Sequence, residues 1–142
     1  MTSDQIELVR TSFARIQPVV EEAAVLFYAR LFERDPSLRP LFHTDIREQG
    51  HKLMDIIGFA VDGLDAVEKL TPTLRELGVR HLHYGVTEGN YDVVGDALLW
   101  TLRKALKDEY TDEVNEAWAA LYSFLSESMK SGARRSKESV AR

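Results

Sequence analysis

The chain has 142 residues, 44% of them apolar and 29% charged, with a formal net charge of −5 and no cysteine. That length suits one compact domain, which buries about 68–70% of the surface its unfolded chain exposes. The negative balance argues against the basic face that nucleic-acid phosphates require, and a cysteine-free chain has no disulfide, thiolate metal site or thiol nucleophile.

Met1 to Ile6 carries no basic and apolar signal segment, and no run approaches the roughly 18 apolar residues of a membrane span. A cytoplasmic location, with neither a membrane nor a nucleic-acid partner, is the expectation. Thr2, Ser3 and Asp4 offer cap oxygens, Gln5 stands three residues after Thr2, and Ile6, Val9, Phe13 and Ile16 continue one helical stripe to Pro18. A second helix is predicted over about Val19 to Asp35. Its two apolar lines, Val20, Ala24, Phe27, Leu31 and Ala23, Tyr28, Phe32, predict burial on more than one side. Asp35-Pro36 reads as a cap and first turn of a short helix ending near Leu41, followed by Phe42 in a connecting segment. Such an aromatic either lids the core or lies against a flat ligand.

Asp45 can cap the next helix, whose inward line is Ile46, Gly50, Leu53, Ile57, Val61 and Leu64, with Gln49 bordering it. Solvent exposure is the default for a helical glutamine. Asp65 with Glu68 reads as a capping box, and Thr71-Pro72 as a fresh cap and first turn. Leu70, Leu74 and Leu77 then recur at helical spacing, and His81 is next on that stripe. An imidazole aimed into apolar space needs partners for its nitrogens. Either a backbone carbonyl satisfies it as a core histidine, or it is a metal ligand.

Gly85, Gly89 and Asn90 mark a loop, after which Tyr91, Val94, Leu98 and Leu102 or Ala105 form one stripe and Val114, Trp118, Leu121 or Leu125, and Met129 another, separated by Thr111 and Asp112. Residues 131–142 are polar and basic without a stripe and read as a disordered tail, leaving residues 1–130 as the domain. No two-residue alternation, repeat or phosphate-cradling glycine loop occurs. The fold class is all-α, and the uneven helix lengths without a heptad repeat disfavour a simple four-helix bundle.

Leu26 to Phe32, Asp35-Pro36, Leu41-Phe42, Gln49 with Lys52-Leu53-Met54, His81, Tyr91 to Gly95, Leu98-Leu99 and Ala117-Trp118 with Tyr122 occur in one order and spacing. Together they resemble a bacterial single-domain haemoglobin, similar to the globin domain of flavohaemoglobins, over about Gln5 to Met129. The resemblance implies the globin fold around a haem b (iron protoporphyrin IX) pocket. It assigns His81 as the iron ligand through Nε2, with Nδ1–H held by a carbonyl near Leu77. His43 and His51 fall on the other side of the expected pocket, and His83 turns away from His81 by about 200° along the helix.

By family position Tyr28 and Gln49 lie over the iron as the reactive pair, with Leu53 beside them and Phe42 against the porphyrin edge. Val86, Tyr91, Val94 and Leu98 line the proximal and inner pocket, and Lys52 and Arg80 are candidates for the propionates. A phenol O–H aimed at dioxygen that carries negative charge makes a charge-assisted hydrogen bond of about 1.5–3 kcal/mol. Such a pocket holds oxygen too firmly to deliver it well. The resemblance therefore implies conversion of nitric oxide to nitrate, and the alternative is oxygen storage or scavenging, or haem-based sensing, without catalysis. Flavohaemoglobins continue into flavin- and nicotinamide-binding domains that 142 residues do not accommodate, so turnover implies a separate reductase. The family's proximal glutamate position falls at Ala133, which lowers the expected electron donation from His81. A monomer or weak homodimer is expected.

Overall fold

A computed structural model describes residues 1–43 and 45–141, and for residues 139–141 only the backbone is considered. Helices α1 (Ser3–Ile16), α2 (Val20–Arg34), α3 (Ile46–Asp62), α4 (Val67–His83), α5 (Glu88–Leu106) and α6 (Asp112–Ala141) follow in order, with a short 3-10 turn at every junction but that of α4 and α5. Among the described residues there is no strand, and no helix is long and apolar enough to cross a membrane.

Several helix starts follow from the local chemistry read above. The Thr2 hydroxyl accepts from the Gln5 amide while the Gln5 side chain accepts from the Thr2 amide, a reciprocal cap that satisfies two otherwise orphaned donors. Asp35 and Asp45 accept from the amides of Ser37 and Arg47, and the Thr111 hydroxyl from that of Val114. Val9, Ile16, Leu31, Leu74, Trp118 and Leu121 form the best-buried part of one core, each aliphatic member contributing about 1.5–3 kcal/mol of burial. Within that core the Trp118 indole donates to the Ser12 hydroxyl at 2.8 Å, and Ser12 passes its own proton to the Leu8 carbonyl at 2.7 Å, so α1 and α6 meet without an unpaired polar atom.

Three expectations are corrected. The Asp65–Glu68 box and the Thr71-Pro72 cap are not used: α4 runs unbroken from Val67, its cap residue Ala66 makes no side-chain bond, and Thr71 bonds back to the Val67 carbonyl at 3.3 Å. Pro72 sits close to the helix start and forfeits one main-chain bond, a loss outweighed by the burial of Leu70, Leu74 and Gly78. Gly89 and Asn90 belong to the first turn of α5, where Asn90 completes a capping box with Thr87; only Gly85, at φ +95°, is a true turn glycine.

The third correction concerns residues 131–142, read as a disordered tail: α6 continues through them as far as Ala141, and Arg142 lies outside the described residues. The reason is a crossing of α4 and α6 built on two glycines. A Cβ on Gly78 would run into the carbonyl of Met129, and a Cβ on Gly132 into the carbonyl of Arg75. The helices therefore touch backbone to backbone, and an Arg134–Glu88 ion pair ties the same stretch of α6 to the start of α5. α4, which carries His81, is seated mainly on α6, while α2 is packed against α3 and α5. Between α3 and α4 contact is at most marginal, so the Tyr28–Gln49 side and the His81 side of the fold are held by different neighbours.

Candidate functional site

The close crossing of α2 and α3 sets one wall of the site. A Cβ on Gly50 would come within 2.6 Å of the Ala24 Cβ, so only glycine allows this approach. Tyr28 lies one turn beyond Ala24, and Gln49 precedes Gly50. Consequently the Tyr28 hydroxyl donates to the main-chain carbonyl of Gln49 at 3.1 Å. The main chain of Gln49 thus supplies a partner for the phenol. The Tyr28 ring is 4% exposed and sits edge-on to Phe42 at 5.4 Å and beside Phe32 at 5.9 Å, with Phe32 and Phe42 in turn 5.3 Å apart. Phe32, read only as a core residue, completes this aromatic group, and Leu53 lies half-buried one turn along α3 from Gln49.

Burial pushes the Tyr28 phenol up to about 12, so it remains a neutral hydrogen-bond donor at ordinary pH. An unfolded tyrosine titrates near 10, so between pH 10 and 12 the unfolded chain loses a proton that the folded chain keeps. Stability is therefore intact below pH 10 and declines through this window, by about 1.4 kcal/mol per pH unit at most. Tyr28→Phe should show a flatter alkaline decline in urea-unfolding free energies, while the buried Tyr122 contributes equally to both proteins. A difference between the two proteins that does not change with pH would show that the phenol titrates normally.

The other predicted group stands at the end of α4. His81 is half-buried, and its Nδ1 lies 2.9 Å from the Leu77 carbonyl one turn earlier. A carbonyl only accepts, so Nδ1 carries the hydrogen and Nε2 keeps an in-plane lone pair. Burial holds the imidazole below its usual range, aided by the charge of Arg80 and opposed by the Leu77 bond, which keeps that lone pair available. The His81 carbonyl accepts from the amides of Tyr84 and Val86, which fixes the end of the helix. His43, His51 and His83 are exposed, and His51 lies 3.7 Å from Glu21.

The remaining predicted residues divide by burial. Tyr91 and Leu98 are buried, and Val86 and Val94 half-buried. Lys52 and Arg80 are exposed, and neither makes an ion pair among the described residues. The Tyr91 carbonyl is claimed by the Tyr122 hydroxyl at 2.6 Å, a tie between α5 and α6 that the sequence reading missed. Tyr91 stood on an apolar stripe, and Tyr122 only among the residues that carry the family resemblance.

The donor set itself tests what this site could hold. Among the described residues no three His, Cys, Asp or Glu side chains converge, so a metal at His81 would have at most two such ligands and must bring most of its donors with it. A metal in a flat macrocycle satisfies that requirement, and the half-buried apolar side chains of Phe42, Leu53 and Val94 suit its faces. A globin family model matches residues 25–129. The chain belongs to the globin family.

Globins bind haem and small gas ligands such as oxygen, and the residues described here fit that group. The chain is 31% identical to a neuroglobin from Tetraodon nigroviridis, with 99% of this chain and 98% of that protein covered. It is 26% identical to a flavohemoprotein from Vibrio cholerae over 89% of this chain, which spans only 33% of that protein's length. A bacterial globin from Campylobacter jejuni shares the fold at a TM-score of 0.85 with 21% identity, covering 96% and 99% of the two chains. The resemblance to flavohaemoglobins thus holds for the globin part, and vertebrate globins are similar to the chain over nearly their whole length.

Proposed function

We propose that this globin would hold haem b through His81, would hold dioxygen with the help of Tyr28, and converts nitric oxide and dioxygen to nitrate with an electron from a separate reductase. When bound, haem supplies the ferrous site at which dioxygen and other small ligands attach. The observation that carries the reading is the Tyr28 phenol: buried, kept protonated, and held by a main-chain carbonyl at 3.1 Å. A hydroxyl has one proton to donate. Transferring it from the neutral Gln49 carbonyl to a ligand with negative charge exchanges an ordinary hydrogen bond for a charge-assisted one, a net gain of about 1 kcal/mol or more. Phe32 and Phe42 keep the ring in place during that exchange and exclude water from the ligand.

On the other side, the Leu77 carbonyl keeps His81 in the tautomer that presents Nε2, and Val86, Tyr91, Val94 and Leu98 would bound the proximal and inner pocket. Lys52 and Arg80, exposed and unpaired among the described residues, are suited to carboxylates at the pocket rim. The overall reaction, nitric oxide plus dioxygen plus one electron giving nitrate, consumes no proton from Tyr28, which acts by holding the ligand. Stopped-flow mixing of the oxygenated ferrous protein with nitric oxide tests the proposal. Rapid conversion to the ferric protein with one nitrate per haem is expected.

A slow reaction without nitrate would favour the second reading, in which the pocket holds its ligand without turnover. That reading draws support from the neuroglobin, which the chain matches over 98% of its length.

A further inference from the structure

We propose that the groove between α4 and α6 binds a small carboxylate-bearing organic anion through Arg75. The groove is a shallow, wide-open concavity of about 540 Å³, and its polar wall is formed by Arg75 of α4 with Ser123, Ser128 and Ser131 of α6. Phe124 supplies an apolar flank and Glu127 stands at its edge. None of these residues belongs to the site proposed for haem.

Arg75 is the unexplained group. Its Nε is buried and has no hydrogen-bond partner, and among the described residues no carboxylate pairs with its guanidinium. Arginine cannot shed its proton, so a buried Nε–H without a partner is costly. The obvious internal partner, Glu127, is exposed and directed at Lys130, 3.7 Å away. What lines the groove is a stock of donors: the terminal guanidinium N–H groups of Arg75 and three serine hydroxyls against one carboxylate at the edge. Such a set recognises an oxyanion, and a planar carboxylate matches the arginine fork in two parallel bonds. The charge of Glu127 weighs against a phosphate dianion, while Phe124 offers a face for an organic body and the volume suits a small organic acid. A modest rotation of the Arg75 side chain toward the groove would give Nε its missing partner. The site lies beside the glycine crossing, since the Arg75 carbonyl is the group that Gly132 admits.

The test is a titration of the isotope-labelled full chain, as purified, with benzoate, benzyl alcohol and inorganic phosphate, read by amide NMR. Saturable shifts confined to residues around Arg75 and Ser128 are expected with benzoate, and none with benzyl alcohol. Arg75→Met, which keeps the apolar stem, should weaken benzoate by at least about tenfold. Glu127→Gln should strengthen it by about two- to fivefold, a readout that survives if Arg75→Met does not fold. Equal shifts with the alcohol, tighter binding of phosphate than benzoate, shifts at Tyr28 and Gln49 instead of the groove, or no saturable shift at all would each overturn the proposal.

Discussion

Tyr28→Phe should accelerate dioxygen release from the haem-loaded protein by about fivefold or more. The substitution removes only the hydroxyl, because the ring contacts at 5.4 Å to Phe42 and 5.9 Å to Phe32 are equally available to phenylalanine. It also removes the bond to the Gln49 carbonyl, so a fold cost of about 1 kcal/mol accompanies the kinetic effect and is measured separately by urea unfolding. Oxygen displacement by excess carbon monoxide, followed in a stopped-flow instrument, reports the release rate directly. A change under about twofold would mean that the hydroxyl stays on Gln49 and never reaches the ligand.

Gly78→Ala should destabilise the chain by about 3 kcal/mol, although alanine is the better helix former by about 1 kcal/mol. The new methyl meets the Met129 main chain, and no rotamer can move a carbonyl out of the way. Separating α4 from α6 would displace the helix that carries His81, so weaker haem retention should accompany the loss. Gly89→Ala is the control: its Cβ would meet nothing closer than the Thr87 hydroxyl at 4.0 Å, and stability should hold or rise slightly. Equal effects at the two glycines would show that the helices do not meet backbone to backbone.

Much of this architecture is legible in the residues. The stripes of α1, α2, α3 and α5 and the caps at Thr2, Asp35, Asp45 and Thr111 depend on local spacing and local hydrogen bonds, which sequence states directly. The Leu77 partner of His81 is equally local, a donor reaching back one turn. What was hidden depends on contacts distant in the chain. Gly132 looks like a breaker among polar residues, yet α6 needs it to lie against Arg75, and the helix extends past it. Pro72 looks like a start, but the apolar face on both sides of it is buried and the helix passes through. Gln49 attracts attention for its side chain, whereas the atom that meets Tyr28 is one every residue has. Main-chain groups acquire such roles only from the approach of two helices, here permitted by Gly50 and Ala24.

The central claim, haem held by His81 opposite Tyr28, is tested most directly by resonance Raman and absorption spectra of the haem-loaded wild type and His81→Gly, with and without added imidazole. An iron–histidine stretch is expected in the ferrous wild type, with its loss and weakened haem retention in His81→Gly, and restoration of both by imidazole filling the vacated space. An unchanged axial-ligand signature in His81→Gly would contradict that claim, since the iron would then be held by another residue and the pocket built from Leu77, His81 and Tyr28 would not be the haem site.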